Sequence, residues 1–350
     1  MKAVMKYARE YGAVGVFDID PPAAPKDDEV LVKIHSAALC GSDLHAYEYI
    51  ESYRSFMTVP VVLGHEGSGV VEAVGSKVTT FKPGDRVMGE SNIYCGVCRN
   101  CHLGMTNICD ANLMRGLTTP GVMREYVTFA ERNLHSVPDS LSFDEGAAAQ
   151  AVTVSADGVL GRIAIRPGDA VLVSGVGIIG ITAAQLARAC GGTVILSGTD
   201  ADEATRVPEV RGMGFDVINC QKENVTEGFV RRTGRKADFA IECSGAAPAL
   251  LGALDATRKG GSVLILGLPN GDVTFPLAKA VRNEINIITS YTSSWDDYEK
   301  TLSLLGSGTL SIAPLLKAYA LDEASTAFED AVKKTVVKPV LRFTDGGEAR

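Results

Sequence analysis

Short apolar runs separated by turn residues dominate roughly the first 150 positions of the chain. Two of them, 29–37 and 69–74, have the length and the β-branched content typical of strands, and the first five residues form another such run. Turn signals such as Pro83-Gly84-Asp85 lie between the runs. This pattern predicts an irregular, mostly β domain at the start of the chain.

From about residue 166 the pattern changes to strands that alternate with helices. Strands are predicted at four short, strongly apolar runs: 170–174, 193–197, 237–243 and 262–266. A helix is predicted at 180–189, after the first of these strands. Such alternation predicts a parallel sheet with crossover helices. The expected fold class is therefore α/β, with a mostly β domain joined to a doubly wound parallel sheet.

The tail, from about residue 292, carries a predicted helix at 295–305 and a predicted strand at 338–343. A remnant of this size cannot fold alone, so we expect it to return to the first domain. The predicted domains are therefore 1–151 with 292–350, and 152–291.

Length and charge narrow the range of functions. A chain of 350 residues is long enough for two domains with proper cores. The net charge of −8, without a concentrated basic run, argues against a nucleic-acid partner. No apolar run approaches the roughly 20 residues that cross a bilayer, and no signal-peptide core is visible, so a cytoplasmic location without a membrane partner is expected. Eight cysteines in such a chain favour metal binding over disulfides.

A glycine-rich segment, Gly175-Val176-Gly177-Ile178-Ile179-Gly180, follows the predicted strand at 170–174 and opens a helix. In this context the spacing indicates a dinucleotide site, although a tight turn without a ligand has the same local form. Gly175 permits the turn, Gly177 lets the backbone approach the pyrophosphate, and Gly180 lets the helix pack on the strand. The helix N-terminus favours the phosphates.

The choice between NAD and NADP depends on the end of the next strand. An NAD site usually has Asp or Glu there for the ribose 2′-OH, but Gly198 stands at about that position, followed by Thr199. Without the acid a 2′-phosphate is not repelled, and Arg206 is a candidate to bind it. Asp200 and Asp202 are near enough to serve an NAD site from a longer loop. The sequence favours NADP over NAD by a small margin.

Four cysteines, Cys95, Cys98, Cys101 and Cys109, lie within fifteen residues. Four thiolates can close a tetrahedron around zinc without an open position, which is typical of a structural site. An iron–sulfur cluster and free thiols are the alternatives, but the spacing differs from the common ferredoxin run. We therefore predict one structural zinc ion here.

Two further segments, Cys40-Gly41-Ser42-Asp43-Leu44-His45 and Gly64-His65-Glu66, follow apolar runs. Cysteine, histidine and glutamate are zinc ligands, and a catalytic zinc ion keeps one open position. Taken alone, each segment is equally typical of a buried cysteine or of a histidine that binds no metal. Together, in a chain that also has a dinucleotide motif, they favour a catalytic metal.

With these motifs the chain resembles the zinc-containing medium-chain dehydrogenase family, most of all its polyol (sorbitol-type) and threonine dehydrogenase branches. The similarity extends over nearly the whole chain and includes the segment 82–87. It implies a GroES-like catalytic domain, a Rossmann cofactor domain, and a homo-oligomer, dimer or tetramer, built through the latter. By the resemblance, Cys40, His65 and Glu66 hold the catalytic zinc, and Ser42 and His45 relay the proton of the substrate hydroxyl.

One position departs from the family. Where the polyol and threonine branches carry a Glu near the zinc, and alcohol dehydrogenases a Cys, the chain has Gln150. A neutral amide is a poor zinc ligand, so the zinc would have one negative charge fewer beside it. The change would favour either tighter binding of an alkoxide or weaker binding of the metal.

Three functions follow. The first is a zinc-dependent dehydrogenase that transfers hydride between a polyol or secondary alcohol and NAD(P), with polar residues at the mouth of the site: Glu48, Tyr49, Glu51, Tyr53 and Arg54. The same segment is equally typical of a solvated surface helix. The second is an L-threonine-type amino-alcohol dehydrogenase, which the stretch 84–101 resembles. The third is a non-catalytic zinc- and nucleotide-binding protein, supported by Gln150 alone.

Overall fold

The computed structural model describes residues 1–343 of the chain and divides it into two compact units. The first unit consists of Met1–Ala151, Ser294–Gly308 and the segment that starts at Leu316. The second unit consists of Val152–Ser293 and Thr309–Leu315. Residues 292–293 and 309–315 thus group with the second unit, whereas the predicted boundaries placed them in the first domain. Within 1–343, no helix has both the length and the apolar character that crossing a membrane requires.

The N-terminal part of the first unit is mostly β-structure. Its elements are, in order, β1 (Lys2–Lys6), β2 (Val14–Asp18), β3 (Glu29–Ala38), α1 (Gly41–Glu48), α2 (Glu51–Arg54), β4 (Val61–Val62), β5 (Glu66–Val74), β6 (Arg86–Gly89), β7 (Asn92–Ile93), α3 (Arg99–His102), β8 (Leu113–Met114), β9 (Tyr126–Ala130), β10 (Leu134–Ser136) and α4 (Phe143–Ala156). The helix α4 crosses the boundary between the units and continues as a π-helical turn, Asp157–Arg162.

The second unit alternates strands and helices, as the sequence pattern predicts. Its elements are β11 (Ala170–Ser174), α5 (Ile178–Ala189), β12 (Thr193–Gly198), α6 (Arg206–Gly212), β13 (Asp216–Asn219), α7 (Val225–Thr233), β14 (Ala237–Glu242), α8 (Ala247–Ala256), β15 (Thr257–Ile265), α9 (Leu277–Arg282) and β16 (Asn286–Thr289). The remaining segments contribute α10 (Trp295–Gly306), β17 (Leu316–Ala320), α11 (Ala324–Val332) and β18 (Lys338–Arg342). Short 3₁₀ turns occur at Thr106–Ile108, Glu131–Asn133, Asp200–Asp202, Ala313–Leu315 and Leu321–Glu323.

The main sheet of the first unit has seven strands, and β3 lies at its centre. The strand order is β10-β6-β5-β3-β18-β17, and β9 also pairs with β3. Along β3, Val30, Val32 and Ile34 are buried while Lys33 is exposed, the two-residue period of a strand with one face in the core. The C-terminal strand β18 lies in this sheet, where it pairs with β3 in antiparallel orientation.

The six strands of the second unit form a parallel sheet in the order β13-β12-β11-β14-β15-β16. This order reverses direction beside β11, which is the arrangement of a Rossmann fold. Its core contains Leu172, Ile218, Phe229 and Val263, all of which are fully buried. Because ligands of such sheets bind beyond the carboxyl ends of the strands at this reversal, the turn after β11 is the expected cofactor position.

Candidate functional site

Sheet pairing brings together three of the predicted metal ligands. Ala38 at the end of β3 pairs with Glu66 at the start of β5, so Cys40 lies next to His65 and Glu66 although 25 residues of chain separate them. One ligand atom from each of the three lies within 4.8 Å of the other two. His65 and Glu66 are almost fully buried and Cys40 is partly exposed. Of the three ligand residues, Cys40 is therefore the most accessible to solvent.

Asp43, for which the sequence predicts no role, connects the two ligand-bearing segments. Its Oδ2 accepts the N–H of Cys40 at 2.9 Å, and its Oδ1 accepts the N–H of Gly64 at 3.2 Å. The carboxylate is fully buried. Gly64 has φ +84°, and a Cβ there would lie 2.5 Å from Met123 Cγ, so only glycine fits this turn. The three-residue spacing from Cys40 to Asp43, typical of a capping box, was the signal in the sequence.

Lys338 is a second residue of the site that the sequence patterns did not predict. Its ammonium group donates to Glu66 Oε1 at 2.7 Å and to the carbonyl oxygen of Leu39 at 2.8 Å, and it lies 2.6 Å from Glu66 Oε2. Burial raises the pKa of Glu66 to about 8, and the charge of Lys338 opposes this rise. A fully buried carboxylate at this position therefore depends on positive charge beside it. A lysine at the head of an apolar strand was the only sequence signal.

Ser42 and His45 both lie on α1, directly after Cys40. The hydroxyl Oγ of Ser42 is 3.4 Å from Nε2 of His65, so it borders the metal cluster. His45 packs edge-on against the ring of Tyr53, with 5.1 Å between the ring centroids, and its Nδ1 has no hydrogen-bond partner among the residues that the structure describes. Burial lowers the pKa of His45, with Glu48 opposing the shift. The imidazole is therefore uncharged at neutral pH and able to accept a proton.

In the polar segment 48–54, the side chains of Glu51 and Arg54 form hydrogen bonds and an ion pair within the segment itself. Arg54 forms an ion pair with Glu51 at 3.0 Å and donates from Nε to the carbonyl oxygen of Tyr49 at 2.8 Å. Tyr53 is buried against His45. Glu51 and Arg54 are exposed. These contacts are those of a surface segment, and they involve no residue of the metal cluster.

The donor set of the cluster fits a zinc ion. Thiolate, imidazole and carboxylate are the three ligand types that zinc takes, and three protein ligands with one open position are typical of a catalytic site. His65 Nδ1 is buried and has no hydrogen-bond partner within the described range 1–343, where the Asp43 carboxylate oxygen is 4.0 Å away. A metal bound by this side chain would supply a partner that the protein itself does not provide.

Gln150 lies in α4, and its side chain is buried. Its Nε2 donates to Ser91 Oγ at 3.2 Å, and the N–H of Ser91 donates to the Tyr298 hydroxyl at 3.1 Å. In the β5–β6 ladder Gly67 pairs with Gly89, so continuing the register by two residues brings Ser91 opposite His65. We infer that Gln150 faces the His65 end of this ladder through Ser91.

The four cysteines of the second motif form a closed cluster. Their sulfur atoms lie within 4.8 Å of one another, with 3.5 Å between Cys98 and Cys101 and 4.0 Å between Cys95 and Cys101. These separations exclude disulfide bonds and match the edge of about 3.8 Å of a tetrahedron with Zn–S bonds of about 2.3 Å. N–H donors from Val97 and Cys98 lower the pKa of Cys95 to about 6. Cys109 supplies the fourth sulfur, and its Sγ accepts the N–H of Cys95. The cluster fits a structural zinc ion.

The glycine-rich turn has the geometry that a pyrophosphate needs. Gly175 has φ +113°, and a Cβ at Gly180 would overlap the carbonyl oxygen of Gly175. Gly177, the N-cap of α5, has open space where its side chain would be, so a ligand can approach the backbone there. Ile178 and Ile179 begin α5, and their N–H groups belong to its unpaired first turn. The turn therefore fits a dinucleotide.

At the end of β12 the structure places Arg206 differently from the sequence expectation. Thr199 donates to Asp202 Oδ2 from its N–H at 3.0 Å and from its hydroxyl at 2.7 Å. Arg206 Nη1 lies 3.5 Å from Asp202 Oδ1, and the Arg206 side chain is only 15% exposed. A Cβ on Gly198 would lie 3.5 Å from Asp202 Oδ2. Arg206 is thus paired with a carboxylate instead of standing free for a phosphate.

Comparison with known proteins agrees with these features. Residues 26–139 match the model of the alcohol dehydrogenase GroES-like domain, and residues 179–307 match that of the zinc-binding dehydrogenase domain. The chain is 33% identical to an L-threonine 3-dehydrogenase of Klebsiella pneumoniae, over 94% of this chain and 96% of that protein.

Two solved structures extend the comparison to the fold. The alcohol dehydrogenase TADH from Thermus sp. ATN1 superposes with a TM-score of 0.88 at 29% identity and covers 98% of this chain and 99% of its own. A zinc-binding dehydrogenase from Sinorhizobium meliloti, solved with NADP bound, gives a TM-score of 0.88 at 28% identity, with 97% and 98% covered. Within residues 1–343 the chain has two groups of potential zinc ligands and a Rossmann sheet, and it matches these family models and relatives. It therefore belongs to the zinc-containing medium-chain dehydrogenase family.

Proposed function

We propose that this dehydrogenase transfers hydride between a polyol or another secondary alcohol and a nicotinamide dinucleotide. The observation that carries the proposal is the cluster of Cys40, His65 and Glu66, with the Ser42 hydroxyl 3.4 Å from His65. The glycine-rich turn 175–180 supplies the matching cofactor site. Intact ligands and an intact turn argue against a non-catalytic binding protein, which only the neutral Gln150 would support.

Each group of the site has a distinct task. When bound, zinc polarises the substrate hydroxyl as a Lewis acid, and the nicotinamide ring is the hydride acceptor or donor. The Ser42 hydroxyl, next to His65, takes up the hydroxyl proton and passes it on. His45, whose pKa is lowered by burial, is uncharged at neutral pH and is the final acceptor on α1. Asp43 and Lys338 keep Cys40 and Glu66 in place.

The polar surroundings of the cluster favour a neutral, hydroxyl-bearing substrate. Ser91 and Gln150 are uncharged hydrogen-bonding groups beside the His65 end of the β5–β6 ladder. Such groups can bind a second hydroxyl of a polyol. An ammonium group would be favoured by a carboxylate at position 150, where this chain has the amide. The identity with the threonine dehydrogenase of Klebsiella pneumoniae supports L-threonine as the second candidate.

A screen of substrates with purified, zinc-loaded protein tests the proposal. The readout is the absorbance of reduced cofactor with sorbitol, 2,3-butanediol, L-threonine or ethanol, each with NAD and with NADP. We expect turnover with a polyol or diol, and turnover with L-threonine alone would favour the second candidate. Ser42→Ala should lower kcat by about 10²–10⁴-fold, the usual contribution of acid–base catalysis. Cys220→Ser, at an exposed cysteine of the second unit, is the control. Binding of zinc and cofactor without any turnover would show a non-catalytic protein.

A further inference from the structure

The end of β12 carries a second, displaced carboxylate that bears on cofactor choice. We propose that Asp202 takes the role of the acid missing at Gly198 and directs this site to NAD rather than NADP. The inference rests on the proposed binding of a nicotinamide dinucleotide at the turn 175–180. It reverses the small preference for NADP that the sequence alone gave.

The geometry around Gly198 shows how the carboxylate comes to this position. Gly198 is the last residue of β12, and a Cβ there would lie 3.2 Å from Val176 Cγ2 and 3.5 Å from Asp202 Oδ2. Val176 belongs to the glycine-rich turn, so the Asp202 carboxylate lies beside the same edge of the sheet as that turn. In an NAD site an acid projects from this strand end toward the ribose. The 3.5 Å distance is an ordinary contact, so the Asp202 carboxylate, four positions later, lies directly beside the strand end that carries no acid of its own.

The Asp202 carboxylate is held in a defined orientation. Its Oδ2 accepts both the N–H and the hydroxyl of Thr199, which closes a capping box around the 3₁₀ turn Asp200–Asp202. The residue is 5% exposed. Its Oδ1 lies 3.5 Å from Arg206 Nη1. A carboxylate oxygen has two lone pairs and can accept a ribose hydroxyl in addition to this contact.

The charge of the surrounding turn disfavours a 2′-phosphate. Arg206 is the basic residue that the sequence offers for a phosphate, but its charge is offset by Asp202. Lys222 is paired with Asp200 at 3.1 Å and lies 3.8 Å from Glu203. The turn thus holds three carboxylates against two basic groups. If Arg206 moved to a phosphate, Asp202 would be left buried next to a group that carries about −1.5 to −2 charges.

Direct binding measurements test the proposal without relying on turnover. The dissociation constants of NADH and NADPH are measured by fluorescence titration, and those of NAD and NADP by calorimetry. We expect the unmodified protein to bind NADH on the order of tenfold more tightly than NADPH, or more. Equal or tighter binding of NADPH would overturn the assignment of Asp202 and leave the proposed function intact. If the protein bound neither dinucleotide, both the assignment of Asp202 and the proposed function would be overturned.

Matched variants assign the selectivity to one carboxylate. Asp202→Asn keeps the size of the side chain and removes the charge, so the preference for NADH should fall by about tenfold, mainly through tighter NADPH binding. Asp200→Asn, at an exposed acid of the same turn, should change the ratio by less than about twofold. The double variant Asp202→Asn/Arg206→Gln should lose the gain in NADPH binding, because Arg206 is then absent.

The opposite pattern would contradict the proposal. A ratio that shifts in Asp200→Asn and not in Asp202→Asn would assign selectivity to Asp200. Thermal unfolding of each variant checks that the second unit is intact. Even if a variant does not fold, the ratio of the NADPH and NADH dissociation constants of the unmodified protein still decides the question.

Discussion

The ammonium group of Lys338 lies 2.7 Å from Oε1 of Glu66, and both side chains are almost fully buried. The two residues come from β18 and β5, which flank β3 on opposite sides. Glu66 is also a proposed zinc ligand, so the same carboxylate has two possible cationic partners. In the metal-free protein Lys338 is the main group that offsets its charge.

We therefore expect Lys338→Met to destabilise the metal-free protein more than the zinc-loaded protein. Removing one partner of a buried ion pair costs about 3–5 kcal/mol, and zinc at Cys40, His65 and Glu66 would offset part of this cost. Unfolding by urea, with and without a chelator, measures both free energies. Lys333→Met removes an exposed pair with Glu329 and should cost no more than about 1 kcal/mol in either state. An equal loss in both states would show that Glu66 does not face a bound metal.

The cysteine cluster should hold one zinc ion that contributes to folding. Cys98→Ser removes one of four thiolates, so we expect about one zinc ion fewer per chain by elemental analysis. The loss of about 2 kcal/mol or more should lower the Tm by roughly 4–8 °C. Cys220→Ser, outside the cluster, should change neither value. Unchanged zinc content and Tm in Cys98→Ser would rule out a zinc site.

Gln150→Glu should increase the retention of zinc against a chelator, because it adds an anionic oxygen near the metal. The same charge opposes ionisation of the substrate hydroxyl, so the lower apparent pKa of the oxidation rate should rise. Gln185→Glu places a carboxylate at another buried glutamine, in the second unit, and reports the combined cost of a buried charge and of a lost amide donor, here to the Ser311 carbonyl oxygen. The contrary result is that Gln150→Glu lowers stability as Gln185→Glu does, without any effect on zinc retention or on the pH profile of the rate. That result would show that Gln150 has only a packing role in α4 and does not act on the metal.

His45 should make stability depend on pH. Burial lowers its pKa below the ordinary 6.5, so the unfolded chain binds the proton more readily than the folded chain. The stabilising contribution is present above pH 6.5 and is lost as the pH falls toward the lowered pKa. His45→Gln should therefore show a smaller drop in Tm between pH 7 and pH 5 than the unmodified protein. His102→Gln, at an exposed ring, should keep the full drop.

The exposed edge strand β16 leads us to predict that the protein forms a homo-oligomer. It pairs only with β15 among the described strands, and Ile287 on it is 37% exposed. An apolar edge of this kind is an aggregation hazard unless it pairs with a second copy. We expect light scattering to show a dimer or tetramer, and Ile287→Lys to produce monomers. Val16→Lys, at an equally exposed residue of the edge strand β2, should leave the assembly intact. A monomeric unmodified protein at micromolar concentration would contradict the prediction.

Local patterns in the sequence were sufficient for most of the fold. The apolar runs at 170–174 and 193–197 are strands because both faces of a parallel sheet are buried, and the glycine spacing fixes the turn that follows the first. The predicted strand at 262–266 begins earlier, at Thr257, because Thr257 pairs with Ala237 ahead of a bulge. Such irregular pairing has no signal in the periodicity.

The contacts that the sequence did not predict connect distant parts of the chain. Lys338 reaches Glu66 across 272 positions because of the register of β18 on β3, which no short motif specifies. Arg206 follows the end of β12 closely enough in the sequence to be a candidate for binding a cofactor phosphate. In the structure, the 3₁₀ turn Asp200–Asp202 instead brings Asp202 to the guanidinium group of Arg206. Residue types were therefore predictable, whereas their partners depended on tertiary structure.

The insertion of β18 next to β3 has a consequence for the order of synthesis. The second unit is nearly continuous in the chain, and only Thr309–Leu315 joins it later. The first unit begins at Met1 but gains a central strand, and the lysine beside Glu66, only when residues 338–342 have emerged from the ribosome. Of the two units, the first therefore starts earlier in the chain and is completed later, and its nascent sheet leaves the β3 edge at Ala37 and Ala38 unpaired until β18 arrives.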